Sequence, residues 1–175
     1  MRTLLIAGLV LFSAACSVTD KRPALHDFAV PPTAADQQGR AAVSVNAPTW
    51  LWDNRIRYRL LFAQSSQVRF YGLDRWIAAP PELFEHLLNV SGKAQNYNLI
   101  IRLQDFEQQF DAPDRASVLL RFVAEAYSGN DKIATQAFYL QQPTKTPDAA
   151  GAISGFTDLA QQAGMRIQHW LMGMH

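Results

Sequence analysis

The sequence predicts an α/β (α+β) fold: a single domain in which a mostly antiparallel sheet carries two packed helices. Three observations predict it. Alternating apolar and polar residues run through several stretches of the first half and through three long later segments, NYNLIIRLQDFEQQF, ASVLLRFVAEAY and KIATQAFYL. Two other stretches carry apolar residues at helical spacing instead. The order is several strands, a helix, three strands, then a helix, which suits helices lying on one sheet.

Each element has its own signals. LHDFAV, at 25–30, reads as a short first strand stopped by Pro31 and Pro32. PTAADQQGR is a loop, and AAVSVNAP is a strand with Ala41, Val43 and Val45 on one face. TWLWDN breaks it. IRYRLLF follows, with Ile56, Tyr58 and Leu60 on one side and Arg55, Arg57 and Arg59 on the other, and it can pair as a hairpin with QVRFYGL across AQSSQ. Pro80 and Pro81 open a helix whose stripe is Leu83, Phe84, Leu87 and Leu88, with Gly92 closing it. In NYNLIIRLQDFEQQF the inward set Tyr97, Leu99, Ile101 and Leu103 changes parity at Phe106 and Phe110, which calls for a β-bulge near Gln104 and Asp105. DAPDR is a turn. In the next strand Val118, Leu120, Phe122 and Ala124 point inward, with Arg121 and Glu125 outward. SGND turns the chain into the returning strand. Thr146 then caps a helix that starts at Pro147 and places Ile153, Phe156, Leu159, Ala160, Ala163, Ile167, Trp170 and Leu171 toward the sheet.

The chain has one cysteine, Cys16, at the end of an apolar run in MRTLLIAGLVLFSAACSVTD. A buried cysteine acting as a small hydrophobe, a catalytic nucleophile and a modified residue are the three readings. The flanks favour the third. Arg2 is a short basic region, 4–12 is an apolar segment too short to span a bilayer, and Ser13, Ala14 and Ala15 are small, as a signal peptidase requires. The stretch resembles a bacterial lipoprotein signal, departing from it at Ser13, where such signals usually carry Leu. On that reading 1–15 is a signal peptide, 16–24 an acylated tether and 25–175 the domain, with Cys16 as the site of lipid attachment. Several acyl chains hold a protein to a membrane firmly where one does not. Ser17 replaces the Asp that retains such proteins at the inner membrane of enteric bacteria, so the expected location is the periplasmic face of the outer membrane. A plain secretory signal is the other possibility.

Composition bounds the rest. Hydrophobic residues make up 49% and charged residues 18% of 175, an ordinary globular balance. Removal of the signal takes only one charge, Arg2, and leaves equal numbers of basic and acidic residues. A neutral chain has no general pull on nucleic acid, so none is expected as a partner. A single cysteine provides no internal disulfide. His26, His86, His169 and His175 have no metal-ligand spacing, and there is no nucleophile elbow, phosphate loop or dinucleotide fingerprint. No catalytic residue, metal or cofactor is expected. Asp105, Glu107, Asp111 and Asp114 read as a solvated strand edge and turn, because they run along one strand and do not converge on a substrate. Trp50, Leu51 and Trp52 are the candidate partner interface: two Trp flank a Leu in a loop-like stretch, where they either cover the core edge or form an exposed aromatic patch.

TWLWDNRIRYRL, YGLDRWIAAPPELFEHLL and LQDFEQQFDAPDRASVLLRF, in that order, resemble the ABC-type transport auxiliary lipoproteins, the family of paraquat-inducible protein C, over about 25–170. The third segment is the most specific, with Phe106, Phe110, Asp111 and Asp114 where the family has them; Arg75 and Trp76 stand where it has Arg-Trp before the helix. The resemblance implies an outer-membrane-anchored component of an MCE/ABC-type intermembrane lipid transport system. Its partner would be the periplasmic MCE-domain protein of the same system, docked at the outer membrane, with a homo-oligomeric ring of copies as a further implication. The alternative is a lipid-carrying or outer-membrane assembly lipoprotein unrelated to an MCE system. A carrier would show a sheet–helix cavity of several hundred Å³.

Overall fold

The computed structural model describes residues 21–29, 42–90 and 97–174. The signal segment, Cys16, the loop before the second strand and Gly92 lie outside them. The described elements are β1 (Ala24–His26), β2 (Val43–Asn46), a 3-10 turn (Thr49–Leu51), β3 (Arg55–Leu60), α1 (Leu61–Gln64), β4 (Arg69–Trp76), α2 (Pro80–Val90), β5 (Asn98–Ala112), β6 (Arg115–Ser128), β7 (Asp131–Pro143) and α3 (Ala149–Met172). They form an α/β fold with one mixed sheet in the order β1-β4-β3-β5-β6-β7, and β2 also pairs with β5.

The long antiparallel meander β5–β6–β7 is the frame. Val118, Leu120, Phe122 and Ala124 of β6 are fully buried on the face that carries the two long helices. The bulge between Leu103 and Asp105 turns Phe106, Gln108 and Phe110 to the helix side. Gly129 turns the β6–β7 connection at φ 59°, a left-handed conformation that glycine adopts without steric cost.

Three pairings are parallel: β1 with β4, and β2 and β3 with the same edge of β5. Antiparallel pairing, the expectation for the sheet, therefore holds for β3–β4, β5–β6 and β6–β7. Because β2 and β3 lie end to end along β5, 43–60 acts as one strand with an interruption. Val43 faces Leu99 and Tyr58 faces Gln108; fifteen residue steps on one side match nine on the other, a surplus of six. That surplus is looped out at 47–54. The other edge of β2 is closed by side chains of α2: Glu85 accepts the Val45 N–H at 2.7 Å, and Asn89 both accepts the Val43 N–H and donates to its carbonyl. Four residues apart on one helical face, the two reach successive inward positions of the strand.

Three local expectations change. The first strand stops at His26, because the Asp27 carboxylate accepts the Ala29 N–H and Ala29 adopts φ 48°. AQSSQ does not form a simple turn; its start belongs to the one-turn helix α1, while β3 and β4 still pair as antiparallel neighbours. The last helix is capped by Asp148, not Thr146. The Asp148 carboxylate accepts the Gly151 N–H at 2.8 Å, and the Thr146 hydroxyl donates to the same carboxylate. A carboxylate is the better acceptor for the unpaired N–H groups of a helix start.

One core joins the sheet to both long helices. At its centre Phe106 stacks on Phe156 at 3.9 Å between ring centroids, and Trp76 meets Phe28, Phe106 and Phe156 edge-on. Trp76, which ends β4 just ahead of α2, is fully buried within the core. Gln108 is buried but satisfied: Tyr71 donates to its oxygen, and its amide donates to the Asp148 carbonyl.

Candidate docking surface

The excursion at 47–54 contains the expected aromatic strip. Pro48 starts its 3-10 turn; the Leu51 N–H donates to the Pro48 carbonyl at 2.9 Å and the Trp52 N–H to the Thr49 carbonyl at 3.2 Å. Such a short turn points successive side chains in widely different directions. Leu51 is therefore 2% exposed and belongs to the core, while Trp50 and Trp52 are 62% and 45% exposed. Leu51 thus leaves the exposed strip and acts as the plug beneath it.

Both ends of the excursion are tied down. The Trp52 indole donates to the Ala47 carbonyl, and the Trp76 N–H donates to the Asn54 carbonyl at 2.8 Å. Asp53 forms a two-pronged pair with the Arg55 guanidinium, whose hydrogen bonds hold the Asp53 carboxyl below its usual pKa. Arg55 in turn lies 3.8 Å from the centre of the Phe70 ring. From the next outward position of β3, Arg57 reaches the Trp50 carbonyl at 3.5 Å. Two large apolar rings are therefore displayed on an ordered support, which lowers the entropy lost on binding.

Glu107 lies beneath that support, on the sheet face opposite the long helices. Its carboxylate accepts from Arg59 Nε at 2.8 and 3.0 Å and from the Gln109 amide at 2.9 Å, while Arg57 Nε stands 3.8 Å away. Arg59 also donates to the Ser65 and Ser66 carbonyls after α1. Burial pushes the Arg57 pKa down, with Glu107 opposing that shift. Glu107 is therefore a buried, paired carboxylate and not part of a solvated edge as expected: the parallel approach of β3 lays two arginines across it. Asp105 pairs with Arg121, and Glu125 with Arg102 and Lys132. Asp111 and Asp114 are exposed at the irregular end of β5 and in the following turn. The four acids do not converge.

The remaining polar groups are dispersed. His26 Nε2 lies 2.9 Å from Asp74 Oδ1, His86 is on α2, and His169 is in the last turn of α3. Among the described residues no group of three or more His, Cys, Asp or Glu is placed to hold a metal ion. An open groove of about 870 Å³ runs between β7 and α3, lined by Phe138, Tyr139, Met165, His169 and Trp170 among others. No described helix is long and apolar enough to cross a membrane. Sequence reasoning missed the Arg57–Arg59–Glu107 cluster; its one legible signal was the run of alternating arginines in RIRYRL.

Comparison with known proteins adds a likeness of fold. No protein-family model and no curated protein matches the chain. Among solved structures, an uncharacterized protein superposes with a TM-score of 0.67 at 12% identity, covering 86% of this chain and 99% of its own. A Xanthomonas campestris protein of family DUF330 superposes with a TM-score of 0.65 at 15% identity, covering 86% of this chain and 93% of its own. At these identities the chain shares its fold with those two proteins.

Proposed function

We propose that this chain is an outer-membrane-anchored lipoprotein of an MCE/ABC-type intermembrane lipid transport system. It holds the periplasmic MCE assembly at the outer membrane and catalyses no reaction. Cys16 is the acylated anchor, and Trp50 and Trp52 are the contact with the MCE-domain protein. The observation that carries the reading is the ordered excursion: Leu51 is sunk in the core, and two exposed indoles are held above it. Tryptophan is enriched among the few residues that dominate binding energy, and a large exposed aromatic pair on a rigid turn is the form such an anchor takes. The lipoprotein-type segment ending at Cys16 and the resemblance of three sequence segments supply the membrane and the partner.

Co-purification with the MCE-domain protein tests the reading. Trp50→Ala and Trp52→Ala each remove an exposed ring, so the melting temperature should stay near that of the parent. Affinity should fall about thirtyfold, the equivalent of ~2 kcal/mol for an interface Trp. Two stable variants that retain the partner would remove the excursion from the interface. A lipid carrier is the second reading, favoured by the groove between β7 and α3. Met165→Trp, which narrows that groove, would then abolish lipid recovered with the purified chain.

A further inference from the structure

A second exposed apolar surface lies where the tether joins the domain. Leu25 and Ile77 are 61% and 60% exposed. They are brought together by the parallel β1–β4 pairing: Leu25 registers on Arg75, and Ile77 stands two residues beyond Arg75. The Ile77 N–H donates to the His26 carbonyl at 2.8 Å, which locks the two segments side by side. Both residues border one pocket of about 340 Å³. Leu73, two residues before Arg75, is also largely exposed. The position of Leu25 is fixed from the other side, because Phe28 is buried against Trp76 and Phe106. Lys21 and Arg22, both exposed, precede this strand, with Pro23 between.

We infer that the β1–β4 edge, through Leu25, Ile77 and Leu73 with Lys21 and Arg22 beside them, is seated on the lipid surface itself. The inference rests on the proposed acylation of Cys16. Covalent length then sets the geometry. Eight residue steps separate Cys16 from Ala24, and at ~3.3 Å per residue they reach no more than ~26 Å. An edge on so short a lead stays within reach of the bilayer at all times, so its effective concentration there is high. Aliphatic side chains flanked by lysine and arginine match an interface of acyl chains and anionic headgroups. A strand edge with exposed leucine and isoleucine is otherwise a liability for pairing with other chains. The Trp excursion is at the same end of the sheet, since Arg55 closes it and Arg55, Arg75 and Leu25 register across three neighbouring strands. Seating this edge holds Trp50 and Trp52 beside the lipid surface.

The single cysteine makes the test direct. In the full acylated chain, Leu25→Cys, Ile77→Cys, Leu73→Cys and, as a control at the far edge strand, Tyr139→Cys each offer one free thiol for a fluorescent label. The labelled chains are reconstituted in vesicles of mixed phosphatidylethanolamine and phosphatidylglycerol containing a lipid-borne quencher. Labels at 25, 73 and 77 should be quenched and shift to the blue, and the label at 139 should remain water-exposed. Labels at 25, 73 and 77 that match the one at 139 would overturn the inference. Two labels on one chain would instead show that Cys16 has a free thiol, which removes the anchor reading alone. In that event the same substitutions in a Cys16→Ser chain, mixed with the same vesicles, decide the lipid surface: quenching supports it and water exposure overturns it.

Discussion

Replacing Glu107 by Gln removes one negative charge and almost no volume. In the parent the Glu107 side chain is 7% exposed, and those of Arg57 and Arg59 are 12% and 27% exposed. The substituted amide keeps one oxygen for Arg59 Nε but puts a donor in place of the other, and Arg57, whose Nε has no hydrogen-bond partner among the described residues, loses its nearest counter-charge. Removing one partner of a buried ion pair costs about 3–5 kcal/mol because the remaining charge stays out of water. Arg59 retains some solvent and two carbonyl acceptors, so the cost falls below that fully buried range, to roughly 2–3 kcal/mol. Urea unfolding should show a lower midpoint at an unchanged slope. Glu107→Leu combined with Arg59→Leu should regain much of what Glu107→Leu alone loses, since Leu119 is the cross-strand neighbour of Glu107 and an apolar group packs there. A loss under ~0.5 kcal/mol for Glu107→Gln would place the cluster among ordinary surface pairs and refute the burial reasoning.

Phe156→Ala should cost about 3–5 kcal/mol, because it leaves a void beside Phe106 and Trp76; an unchanged unfolding midpoint would mean the ring does not pack there. Gly151→Ala should destabilise although alanine is the better helix former by ~1 kcal/mol, since its Cβ would collide with the Thr146 carbonyl oxygen; a raised melting temperature would contradict that close approach. Asp148→Ala, which deletes the cap, should cost about 1 kcal/mol by the same measurement. Stability should also fall in acid. The Thr146 hydroxyl and Gly151 N–H lower the Asp148 pKa, and Arg55 lowers that of Asp53, so each binds its proton more weakly folded than unfolded. Their stabilisation is present above the ordinary carboxylate range near ~4 and is lost as pH drops through the lowered folded values; melting temperatures that hold steady from about pH 5 down to about pH 2 would refute it.

What was legible in the sequence is what neighbouring residues decide among themselves. The stripe of α2, the apolar face of α3, the inward set of β6 and the bulge at Gln104 all follow from side-chain periodicity, which is a local geometric property. The parallel docking of β2 and β3 was not legible. Their partners on β5 lie about fifty residues downstream, and parallel pairing has no turn to announce it, whereas a hairpin is written in the residues that close it. Two further outcomes depended on that pairing. It looped out 47–54, which sank Leu51 and lifted Trp50 and Trp52, a choice the WLW triplet alone leaves open. It also laid Arg57 and Arg59 over Glu107, so that a residue with outward parity became buried. The edge of Leu25 and Ile77 arose in the same way, from strands joined across the sheet. Alternation in the sequence determined which side of its own strand each residue occupies; only the tertiary structure decided what stands against that side, because burial depends on neighbours that are distant along the chain.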